Sequence, residues 1–233
     1  MLPIRDDQPR YSTPIVNSFL IGVNLLIFVF EASLTPRGLG LLVSQLGVVP
    51  SHVLAFVSGS PRYSLVAVAL PFLTSMFLHG SWMHVIGNMW FLYIFGDNIE
   101  DYLGHFRYLL FYLAAGLLAM MTQVGFDPHS TVPALGASGA IAGVLGAYFV
   151  LYPKARVLIW FPIFFIFYLP AWITLGYWFV VQFFSGAATS LVYEGRSAGG
   201  GVAFWAHVGG FLFGAILIKL LPQRSRRSPY GAY

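Results

Sequence analysis

The chain has 233 residues, of which 58% are hydrophobic and only 9% charged. A soluble domain carries about 25% charged residues, so a soluble enzyme is excluded and an integral membrane protein is expected. The net charge of +4 is modest and the chain has no cysteine, which removes disulfides, thiol nucleophiles and thiolate metal sites.

Residues 1–13, "MLPIRDDQPRYST", are charged and proline-bearing and are expected as a cytoplasmic segment. The apolar run that follows has no small-residue cleavage site after it, so it reads as a retained helix near 14–33 rather than a signal peptide. Residues 35–70 are expected as an extracytoplasmic interfacial loop. Within it, 38–61 is free of charge but interrupted by Gly, Ser, Gln, Pro and His, which favours short helices at the interface over a further span. About 20 apolar residues cross a bilayer as a helix, and the remaining charge-free intervals predict helices near 82–98, 106–125, 136–152, 156–184 and 203–221. The fifth contains Pro162 and Pro170, so it is expected to be tilted, kinked or broken. Its aromatics, among them Trp160, Trp172, Trp178 and Phe183, read as lipid contacts. Residues 222–233, "PQRSRRSPYGAY", form a basic tail that is expected to be disordered. The fold class is therefore all-α, a polytopic six-helix membrane bundle over 14–221.

Six spans put both termini on one side. With the N-terminus inside, Arg5, Arg10, Arg107, Lys154, Arg156, Lys219, Arg224, Arg226 and Arg227 are cytoplasmic, leaving Arg37, Arg62 and Arg196 outside. The positive-inside rule selects that orientation. The basic tail then serves as a topology signal rather than a nucleic-acid contact. A compact single domain of this kind suits a prokaryotic inner membrane.

In this topology helices two, four and six run the same way, and their outer ends carry polar side chains at similar depth. Ser138 opens helix four in "GASG", His207 lies a turn into helix six in "WAHVGGFLFG", and His84 and Asn88 share a face of helix two through their i,i+4 spacing. Polar groups inside a membrane protein are costly and usually face an interior or a wet cavity. Gly136, Gly139, Gly143 and Gly146 around helix four, and Gly210 and Gly214 on helix six, form small-residue stripes. Such stripes let membrane helices approach closely, as a Ser–His pair within about 3 Å requires. Taken singly, each feature has a plain structural explanation: packing glycines, a satisfied histidine, cross-helix polar glue. The acidic residues fall between apolar runs, His79 is at the wrong spacing from His84 for a metal pair on one helix face, and His52, His105 and His129 receive no role.

Together, "HVIGN", "GASG" and "AHVGG" with the following Gly214, along with "FGDNIEDYLG" after helix two, resemble the rhomboid family of intramembrane serine proteases over about 72–221. The resemblance implies a six-helix catalytic core. Ser138 would be the nucleophile and His207 the general base, without an Asp. His84, Asn88 and the backbone N–H of Ser138 would form the oxyanion hole. The implied substrates are transmembrane segments of other membrane proteins, cleaved near their extracytoplasmic ends, with no cofactor and no metal. The implied partners are those substrates and the lipid bilayer, not nucleic acid. Many members carry an aromatic four residues after the serine, stacked on the catalytic imidazole. Here that position is Ala142, so the stacking is absent or comes from another helix. Two alternatives remain: a catalytically silent rhomboid-like protein that binds membrane clients, and a transporter. The first would lack the Ser or the His, and the second commonly uses mid-span carboxylates. Neither an HExxH zinc motif nor a pair of intraspan aspartates is present.

Overall fold

The computed structural model describes residues 1–161, 165–192 and 202–224. Among them the helices are α1 Ile15–Ser33, α2 Pro36–Leu46, α3 Pro50–Val57, α4 Leu65–Thr74, α5 Trp82–Leu103, α6 His105–Phe126, α7 Ser138–Leu151, α8 Ala171–Val192 and α9 Phe204–Leu220. A 3₁₀ turn, Ser75–Phe77, follows α4. The helical membrane bundle expected from composition is present. α1, α6 and α8 are each long and apolar enough to cross a membrane, and α4 with its 3₁₀ turn passes the same test jointly with α5, bent by 77° at the break. α7 and α9 are shorter apolar helices. The stretch 38–61 falls on the two short helices α2, which starts at Pro36, and α3, neither of them long enough to cross.

One element departs from expectation. The described residues of 156–170 are not helical: Arg156–Phe161 (β2) and Phe165–Pro170 (β3) pair antiparallel, and Leu2–Asp6 (β1) adds to the other edge of β2 in the order β1-β2-β3; Pro162, expected as a kink, lies outside the described residues. The fifth helix therefore begins at Ala171, not 156. Pro170 ends β3, an edge strand, where a residue without an N–H is tolerated. The N-terminal segment is thus a strand of the fold. The first residues of the expected tail are also held: the Arg224 N–H donates to the Tyr102 carbonyl at 2.7 Å, and the Arg107 guanidinium donates to the Pro222 carbonyl at 3.2 Å. The rest of the tail, 225–233, lies outside the described residues.

The "FGDNIEDYLG" stretch pins this end of the bundle. The buried Glu100 carboxylate accepts the N–H groups of Val16 and Asn17 at 2.9 and 2.7 Å, satisfying donors that the first turn of α1 leaves open. Ser12 donates to Asp101 at 2.6 Å and Arg10 pairs with Asp97 at 3.7 Å. Gly104, at φ +76, turns α5 directly into α6, a conformation that side chains with a Cβ rarely adopt.

β1 is tied down by Trp90, whose indole donates to the Pro3 carbonyl at 2.6 Å, and by Asp6, which accepts the hydroxyl proton of Tyr148 on α7. Burial pushes the Asp6 carboxyl up to about 6, against the pull of the Tyr148 hydrogen bond. Because the folded protein keeps that proton when the unfolded chain has lost it, this group costs stability as pH rises from about 4 to about 6. Asp6→Asn is expected to flatten the fall in Tm across that window; parallel Tm–pH curves for the two proteins would refute it.

Candidate active site

α7 is the central helix, and every residue from Gly139 to Tyr148 is buried. Its 14 residues give it a length of about 21 Å, against about 33 Å for the 22 residues of α6. The two run antiparallel, with Gly139 facing Ala119 and Gly143 facing Ala115. Ser138 is therefore level with a residue about seven positions short of the end of α6, roughly 10 Å below it at 1.5 Å per residue. A hydroxyl is placed beneath one end of the bundle while remaining partly exposed.

The small-residue stripes take different partners. A Cβ added at Gly210 would lie 2.1 Å from the Gly139 carbonyl oxygen, at Gly214 2.0 Å from that of Gly143, and at Gly146 2.0 Å from that of Phe211. α7 and α9 thus touch backbone to backbone. Gly139 and Gly143, expected to face α9, meet Ala119 and Ala115 of α6 first, so α7 is wedged between two helices. The close approach of α9 brings the buried His207 to the serine: its Nε2 lies 2.7 Å from Ser138 Oγ.

The other nitrogen of His207, Nδ1, lies 2.7 Å from Oε1 of Gln182 on α8. One turn earlier on the same face, Trp178 sets its ring 5.7 Å from the imidazole, tilted by 35°. An aromatic neighbour for His207 therefore comes from α8 in place of position 142, where Ala142 lies against Gly210. Sequence reading assigned Trp178 to lipid and passed over Gln182. The available signal was that Gln182 is the one amide in a 22-residue apolar helix, a group that costs free energy there unless it is bonded.

His84 and Asn88 stand on the opposite wall, in the first two turns of α5, which Ser81 caps by accepting the His84 N–H at 3.2 Å. The His84 ring lies against Gly136, where a Cβ would come within 2.8 Å of it. Gly136 also has φ +121, so a residue with a side chain there would be both strained and in collision. Asn88 is turned toward His79: its Nδ2 lies 3.0 Å from His79 Nε2. The His79 ring meets that of His84 edge-on at 5.0 Å, and its backbone N–H donates to the buried carboxylate of Glu31 at 3.1 and 3.3 Å. Two residues left without a role by the sequence, His79 and Glu31, thus support this wall; Glu31 sits within α1 and not between the apolar runs. A cavity opens beside Ser138, lined by Met76, Gly116, Ala119, Leu135, Gly136 and Ala203.

The fold and this pair define a polytopic helical membrane protein with a serine and a histidine in hydrogen-bond contact below one surface. The rhomboid domain profile matches residues 67–224, and the chain belongs to the rhomboid family. It is 32% identical over 156 residues to rhomboid-like protein 11, chloroplastic, of Arabidopsis thaliana, covering 65% of this chain and 52% of that protein. It is 37% identical over 97 residues to the human presenilin-associated rhomboid-like protein, mitochondrial, covering 40% of this chain and 26% of that one. It is 41% identical over 75 residues to the rhomboid protease GluP of Bacillus subtilis, covering 32% of this chain and 14% of that one. The chain thus spans about half the length of the first of these relatives, about a quarter of the second and less of the third.

Proposed function

We propose that this protein is an intramembrane serine endopeptidase that cleaves transmembrane segments of other membrane proteins near their extracytoplasmic ends. The observation that carries the reading is the 2.7 Å contact between His207 Nε2 and Ser138 Oγ at the start of α7. In the neutral imidazole one nitrogen accepts, so Nε2 can take the hydroxyl proton as the oxygen attacks a carbonyl and later return it to the leaving amine. Negative charge then develops on the former carbonyl oxygen. The Ser138 N–H is in the first turn of α7, where N–H groups lack intrahelical acceptors, and with His84 and Asn88 it forms the proposed oxyanion hole. Irregular backbone and water at membrane depth are tolerated because protein encloses them. The nine basic residues assigned to the inner side support cytoplasmic termini and a site opening outward.

A serine-directed fluorophosphonate tests the reading. Purified protein should become covalently labelled and lose cleavage of a model transmembrane substrate in proportion, whereas Ser138→Ala should not label. A protein that neither labels nor cleaves would favour the silent, client-binding alternative.

The oxyanion donors have a separate signature. Asn88→Ala and His84→Ala should each lower kcat by about 10²–10³ with little change in KM, while Ser138 still forms a slow fluorophosphonate adduct. The bond from Asn88 to His79 makes the competing outcome concrete: a large drop in Tm with near-normal kcat would show that Asn88 only ties the wall together.

A further inference from the structure

We propose that Gln182 is a positioning residue that holds His207 in the one tautomer able to act as a base toward Ser138; this rests on the serine-protease reading above. A neutral imidazole carries its proton on one nitrogen and accepts at the other. Nδ1 of His207 faces the amide oxygen of Gln182 at 2.7 Å, an atom that can only accept. The proton is therefore on Nδ1, and Nε2, 2.7 Å from Ser138 Oγ, presents its lone pair to the hydroxyl. If the proton were on Nε2, that nitrogen would donate to the serine and could not deprotonate it. During attack the proton moves from Oγ to Nε2, and Nδ1–H stays bonded to Gln182, whose carbonyl dipole faces the imidazolium. The proton then leaves with the amine, and Gln182 neither gains nor loses one.

The geometry is built into α8. Gln182 and Trp178 are four residues apart and lie on one face, so the hydrogen bond and the ring contact reach His207 from the same helix. Neither is charged. Across the site the titratable side chain acting on His207 is His84. The role that a carboxylate fills in other serine hydrolases, orienting the imidazole through Nδ1–H, falls here to a neutral amide, which adds no charge to a low-dielectric interior.

The test uses the full chain in detergent or bilayers, with Gln182→Leu and Gln182→Glu beside the unaltered protein. Leu matches the bulk but cannot accept, so kcat should fall about 10- to 100-fold, the effect of losing a hydrogen bond to a charged partner, with KM little changed. Glu keeps an accepting oxygen: it should recover most of the rate, with the acid limb of the kcat/KM profile moved to higher pH because a carboxylate favours the imidazolium. A purely structural tie between α8 and α9 predicts a different split: Gln182→Leu lowers Tm with near-normal kcat per folded molecule, and Gln182→Glu leaves the pH profile unmoved. ¹⁵N spectra of labelled His207 read the tautomer without any need for activity. Protonated Nδ1 in the unaltered protein, lost in Gln182→Leu, is the expected result. A proton on Nε2, or Gln182→Leu at full rate with an unchanged pH profile, overturns the proposal. Unaltered protein that neither labels nor cleaves overturns the protease reading instead, and the two failures are distinct.

Discussion

Ser138→Ala and His207→Ala are each expected to reduce cleavage of a transmembrane substrate by at least ~10⁴-fold, because nucleophile and base act as a unit and removing either forfeits nearly the whole effect. The losses should not add: the double variant should cleave no more slowly than either single one. The bundle should survive both changes. Ser138 is partly exposed and its hydroxyl is not needed to cap α7, so Ser138→Ala should melt close to the unaltered protein. His207→Ala leaves a cavity and the Gln182 amide without its partner, and should lose some Tm while remaining extractable. Folded Ser138→Ala that retains proteolysis would remove the dyad outright, and unequal losses with additive behaviour would show that the two residues do separate jobs.

The second large effect concerns packing. Gly210→Val and Gly214→Val would drive a Cβ to 2.1 and 2.0 Å from carbonyl oxygens of Gly139 and Gly143. Those atoms are backbone and cannot swing aside as a side-chain end would. Overpacking of a core typically costs about 1–3 kcal/mol, and these contacts should reach at least ~3 kcal/mol, with α9 displaced from α7 and the 2.7 Å Ser–His contact opened. Tm and kcat should therefore fall together. Gly143→Val should also destabilise, but by pushing α7 from Ala115 of α6, 2.4 Å from the added Cβ. Gly87→Ala on the open face of α5 has nothing within 4 Å of its added Cβ, and should be neutral or slightly stabilising, as Ala for Gly in a helix is. If Gly214→Val melts and cleaves like the unaltered protein, α7 and α9 are not in backbone contact in the membrane.

Much of this architecture is a consequence of the sequence by itself. Long apolar runs without charge can satisfy their backbone in lipid only as helices, so α1, α5, α6, α7 and α9 lie close to where hydropathy puts them. The order of the motifs on those helices sufficed to bring Ser138, His207, His84 and Asn88 forward together. Residues 156–170 were misread because "RVLIWFPIFFIFYLP" is as apolar as a span, and hydropathy does not distinguish a strand from a helix. Arg156–Phe161 is a strand because it pairs with residues 2–6, about 150 positions away along the chain, and no local pattern carries that. Ala142 marked a missing aromatic, but only the tertiary structure decided what replaces it. Trp178 and Gln182 could be placed beside His207 only once α8 was seen to start at Ala171 and to present that face inward. The same holds for Glu31 and His79: a charge at a helix end looks solvated in sequence, and it is the packing of α1 against the start of α5 that buries the carboxylate and gives it the His79 N–H to bind.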